Sequence, residues 1–137
     1  MKALNVTLLF NGQTETAFNF YKSIFGGEFS SLQRMKDIPG APEMPEEEKD
    51  KILHMSLPLA GAILSGMDSP SRMPPAVTGS NFMIALDMNS EAEVTRVFNG
   101  LAEGGKVAFP PGPQFWATFF GMATDQFGVT WMLTYNK

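Results

Sequence analysis

The chain has no cysteine, one histidine (His54), and only two tryptophans and two tyrosines among its 137 residues. Without cysteine there is no disulfide framework, no thiolate metal site and no cysteine nucleophile. With a single imidazole to share, Asp37, Asp50, Asp68, Asp87 and Asp125 form no visible Ser-His-acid set. Clustered lysine and arginine are also missing, and the net charge of -4 argues against nucleic acid as a partner. No apolar run approaches the length of a membrane span, and Met1 to Asn5 lacks a signal-peptide core, so we expect a cytoplasmic protein with no membrane partner. What is abundant is methionine, at 10 residues, and phenylalanine, at 12, which suit an adaptable apolar interior or pocket. Apolar residues make up 44% and charged residues 18%, the balance of an ordinary globular chain of one domain.

The sequence repeats itself. Thr14 to Phe20, followed by Gly26 and Gly27, is echoed by Ala92 to Phe98, followed by Gly104 and Gly105. A short apolar run precedes each copy, and each copy ends in a strand-turn-strand pattern around Gly61 or Gly128. Alternation predicts strands over 5–10, 28–35, 52–59 and 62–67 in the first half. In the second half it predicts strands over 82–86, 107–109, 115–123 and 129–135. Ala17, Phe18, Phe20, Tyr21, Ile24 and Phe25 recur at helical spacing, with Gln13 and Glu15 as capping groups. Ser90 and Glu93 form a capping box before Val94, Val97, Phe98 and Leu101.

The segment from Lys36 to Asp50 reads as a loop with one helical turn after Pro45. Pro110 to Pro113 reads as a rigid loop, and Asp125 as the brace of its turn. The order is βαβββ twice, an α+β class. Module one spans about 4–68, a linker about 69–79, and module two about 80–137. The double glycines stop helices and are not phosphate loops, since no basic residue or helix start follows them.

Three segments carry a resemblance to a known family: Phe10 to Glu28, Ile52 to Ser56, and Phe115 to Met132. The last is the most specific, through its Phe-Trp pair and the turn Asp125-x-Phe-Gly-Val-x-Trp131. They resemble the vicinal-oxygen-chelate superfamily of glyoxalase, bleomycin-resistance and extradiol-dioxygenase proteins, and its PhnB-like branch above all. The resemblance implies two tandem βαβββ modules forming a cupped, eight-stranded mixed sheet, commonly in a homodimer. Enzymes of the superfamily hold a divalent metal in the cup, on His, Glu or Gln from the first and last strand of each module. The equivalent positions here are Asn5, Leu64, Met83 and Trp131, and a register slip of one residue brings in only Ser65 or Thr130. Such a set does not hold a divalent transition metal. At Thr118, where PhnB-like relatives can carry histidine, this chain departs again.

The expected function is therefore metal-free binding of a small, partly aromatic or apolar molecule, with no cofactor. The pocket would draw on Asn5, Thr7, His54, Leu64, Met83, Trp116, Thr118 and Trp131. No catalytic residue is assigned. His54 stands either as a ligand contact or base, or as a structural histidine bonded to its neighbours. The alternative is a metal-dependent lyase, isomerase or thiol transferase of the glyoxalase type. A ubiquinone-pathway methyltransferase finds no support, because no glycine-rich nucleotide-binding turn of a parallel α/β domain is present.

Overall fold

The computed structural model describes residues 1–137 and divides into two compact units, Met1–Val77 and Thr78–Lys137. The first unit contains β1 (Val6–Phe10), α1 (Thr14–Phe25), β2 (Ser31–Arg34), a short 3-10 turn (Met35–Asp37), α2 (Glu46–Lys49), β3 (Ile52–Leu59) and β4 (Ala62–Asp68). Its sheet runs β1-β4-β3-β2, with β1 parallel to β4 and the other pairs antiparallel. The second unit contains β5 (Ile84–Asp87), α3 (Glu91–Ala102), β6 (Lys106–Gln114), β7 (Ala117–Thr124) and β8 (Thr130–Tyr135). It repeats the topology as β5-β8-β7-β6, again with one parallel pair. The duplicated βαβββ order and the α+β class thus stand in the structure as eight strands in two mixed sheets.

Each helix lays its apolar stripe on its own sheet. In α1 the buried residues are Thr14, Ala17, Phe18 and Tyr21, and in α3 they are Val94, Val97, Phe98 and Leu101. Both sets follow the i, i+3, i+4 spacing of one helix face. Close approach is possible because a glycine lies beneath each ring. A Cβ on Gly66 of β4 would stand 2.4 Å from the Phe18 ring, and one on Gly121 of β7 would stand 3.0 Å from Phe98. Burying each large side chain of these stripes contributes about 1.5–3 kcal/mol.

The two helices begin differently. Ser90 caps α3 by accepting the Glu93 amide at 3.0 Å, and Glu93 reaches back to the Asn89 amide at 2.7 Å. Neither Gln13 nor Glu15 caps α1: Gln13 accepts the Asn11 amide, and Glu15 pairs with Arg34 at 2.5 Å. The cap comes from Asp68, at the end of β4. Its Oδ1 accepts the amides of Gly12 and Thr14, both at 3.1 Å, and the Thr14 hydroxyl at 2.6 Å, while its Oδ2 accepts the Ile52 amide at 2.8 Å.

Two local expectations are corrected. Pro110 to Pro113 is not a loop, because β6 runs through it to Gln114 with three register shifts against β7. Proline is tolerated there since β6 is an edge strand, where a missing amide leaves no ladder bond broken on the open side. Phe115 and Trp116 are not strand residues; they form the turn between β6 and β7. Between α2 and the segment after β4, Glu48 accepts Lys51 Nζ at 2.5 Å and the Ser71 hydroxyl and amide. The Lys51 hydrogen bond, seconded by Ser71, holds the Glu48 carboxyl down at about 2.

Candidate functional site: the sheet faces opposite the helices

Strand alternation assigns every residue of each sheet to the helix side or the opposite side. In the first unit Gly66 lies under Phe18, so its neighbour Met55 and the alternating pair Leu57 and Leu64 share the helix side. The opposite face then carries Thr7, Ser65, Ser56 and Ser31, which stand side by side across all four strands through the pairs Thr7–Ser65, Ser65–Ser56 and Ser56–Ser31. Ser56 bonds the Ser30 hydroxyl at 2.7 Å, and the His54 Nδ1 lies 2.9 Å from the Ser31 hydroxyl. Gln33 stands opposite His54, and Leu9, Ile63 and Met67 flank the row. Ser56 and Ser65 are nearly covered, His54 and Ser31 half-buried, and Thr7 open.

In the second unit Gly121 lies under Phe98, so Leu133, Leu86 and, by alternation, Trp131 occupy the helix side. The opposite face carries Ala85, Met132, Met122, Phe120, Thr118 and Thr134. Phe120 touches Phe109 and Trp116 edge-on, with ring centroids 5.9 and 5.5 Å apart, and Phe115 stacks edge-on against Trp116 at 4.8 Å. Beside Trp116 an open depression of about 330 Å³ is lined by Gln114, Phe115, Trp116, Ala117, Thr118 and Asn136. Asn136 accepts the Thr118 amide at 3.1 Å, and the Thr118 hydroxyl accepts the Lys137 amide at 3.2 Å.

The expected pocket residues separate accordingly. Thr7 and His54 share the open face of the first sheet, and Thr118 lies on that of the second with Trp116 at its rim. Leu64 and Trp131 do not face a pocket. Leu64 is buried against α1, and Trp131 is fully buried with its indole N–H donated to Asp125 at 2.9 Å. Asn5 and Met83 precede β1 and β5 and lie exposed outside the sheets. The registers add Ser31, Ser56, Ser65, Met122 and Met132 to the faces opposite the helices, of which sequence reasoning had raised Ser65 only as a slip of one residue. Period-2 alternation separates the two sides, and Leu64 lies on the helix side of its strand where Ser65 lies on the other. No three His, Cys, Asp or Glu side chains gather anywhere in the chain. At the open-face positions of the first and last strands stand Thr7, Ser65, Ala85 and Met132. Hydroxyls, a methyl group and a thioether are not a donor set for a divalent transition metal, so the superfamily's metal does not fit these residues.

Residues 2–134 match the 3-demethylubiquinone-9 3-methyltransferase family. The chain belongs to this family. Protein YjdN of Escherichia coli strain K12, a relative, is 29% identical over 98% of the chain and 95% of its own length. Among solved structures, protein PA1353 from Pseudomonas aeruginosa is 38% identical with a TM-score of 0.82, and 98% of each chain is covered. The PhnB protein from Bacillus cereus is 27% identical with a TM-score of 0.80, over 98% of this chain and 99% of the other. The Bacillus cereus PhnB protein carries the same family description, so the chain is PhnB-like. A glyoxalase-related enzyme from Fulvimarina pelagi, 22% identical with a TM-score of 0.65, shares the fold.

Proposed function

We propose that this PhnB-like protein binds a small, partly aromatic or apolar molecule without a metal ion. The observation that carries this reading is the face of the second sheet opposite α3, where Phe120 packs against Trp116 and Phe109, and Met122 and Met132 stand paired on the same face. Thioethers and aromatic rings adapt to varied apolar shapes, and an exposed indole offers a stacking surface. Gln114, Thr118 and Asn136 around the Trp116 depression add polar groups that would orient a ligand. A dimer, expected from the resemblance, belongs to this proposal. So does a function other than methyl transfer: the βαβββ units contain no glycine-rich turn opening a parallel α/β dinucleotide-type fold.

Native mass spectrometry and a thermal-shift screen of metal-free protein test the proposal. An organic compound should raise Tm without added metal, and Trp116→Ala should weaken its binding about tenfold, the loss of a stacking contact worth about 1.4 kcal/mol. Stabilisation by divalent ions alone, or saturable binding of S-adenosylmethionine, would overturn it.

A further inference from the structure

The first sheet offers chemistry of a different kind. Thr7, Ser65, Ser56 and Ser31 occupy one row across β1, β4, β3 and β2, about 4.8 Å from strand to strand. No protein group takes the hydroxyl protons of Thr7 and Ser65. Neither hydroxyl is sealed from solvent, so both can donate to a ligand, and Ser65 is recessed between Ile63 and Met67 on the same strand. Next to the row stands His54, whose Nδ1 is engaged with Ser31 while its Nε2 is left for another partner.

The charge of this face can change in one direction only. Around His54, β2 contributes Ser31 and Gln33 and β4 contributes Ser65 and Met67, none of them ionisable in the working range. The charged groups nearest in the chain are paired elsewhere: Arg34 with Glu15, Lys36 with Asp50, Lys51 with Glu48, and Lys22 with Glu28. Asp37 accepts the Arg34 amide. The face holds no carboxylate to attract a cation, and its one titratable group can only become positive.

We infer that the face of the first sheet opposite α1 holds a small oxyanion, with the hydroxyl row donating to its oxygens and His54 balancing its charge. This rests on the reading of the sheet faces as ligand surfaces and adds the class of group that one of them takes. The imidazolium form of His54 is the one suited to the anion. Both ring nitrogens are then donors: Nδ1–H gives its hydrogen bond to Ser31, whose own hydroxyl proton is freed for the ligand, and Nε2–H points outward.

Because His54 is the only histidine, its ring protons give an unambiguous NMR signal. Sulfate is a suitable probe, since it stays fully charged across the titration. In sulfate, against chloride of matched ionic strength, the His54 ring signals should move. Sulfate affinity should fall as the pH is raised and the imidazole can no longer carry a proton. Thr7→Val, at an open position, should weaken binding severalfold. His54→Gln should keep the fold and abolish the pH dependence, read from backbone amide shifts along the row. If sulfate at tens of millimolar moves neither the His54 signal nor those amides, the inference is wrong. A response to glucose but not to sulfate would equally overturn it, assigning the row to neutral polyols. Neither result depends on whether an organic ligand binds beside Trp116, so the two proposals fail separately.

Discussion

Asp68 shows what a single side chain contributes and why it was not visible beforehand. Its buried carboxylate satisfies the start of α1, the start of β3 and the Thr14 hydroxyl together. Asp68→Ala would leave three backbone amides without their acceptor in a buried place. Charge-assisted bonds of this kind are worth about 1.5–3 kcal/mol each, and their losses are not additive. A loss of about 3 kcal/mol or more in urea denaturation is expected; a midpoint within experimental error of wild type would contradict the role given to Asp68. The partners Gly12 and Thr14 lie more than fifty residues away in sequence, so local pattern could not reveal them. Asp125 was legible for the opposite reason: it accepts from Phe127, Val129 and Trp131, all within its own turn and the strand that follows. Side-chain direction is equally sensitive. One position separates Leu64 from Ser65, and that step exchanges a core contact for a place on the open face.

At the level of elements, both helices and the pairs β3–β4 and β7–β8 were readable from periodicity, because each buries one face and exposes the other. Elements without that contrast were misjudged. β6 has an almost uniformly exposed pattern and three prolines, so nothing in it alternated. The contact between α1 and its sheet depends on Gly66, which has an ordinary backbone conformation but no room for a side chain. Gly66→Ala would drive a methyl group into Phe18 and Thr14, costing about 1–3 kcal/mol as overpacking. Gly112→Ala in β6, with open space around it and no positive φ, should change stability by less than about 0.5 kcal/mol. Paired chemical denaturation curves distinguish the two, and equal losses would show that helix-to-sheet packing does not set the requirement.

For the whole molecule, acid is the informative variable. The net charge passes through zero near pH 4.9, while Glu48 remains ionised down to about pH 2. Its carboxyl titrates lower in the folded chain than the ordinary 4.5, so the contribution of its bonds to Lys51 and Ser71 is full above pH 4.5 and disappears as pH falls toward 2. The Tm difference between wild type and Glu48→Gln should therefore persist through the isoelectric point and close only below it; a gap already closed at pH 5 would refute this. The repeat made the architecture legible at this scale, whereas the chemistry of each sheet face needed the registers between strands. The prolines of β6 have a last consequence. Pro110, Pro111 and Pro113 offer no amide hydrogens along the outer rim of the second sheet. A stray extended segment from another molecule therefore finds no continuous ladder to join there, and that border is guarded against fibre-like growth.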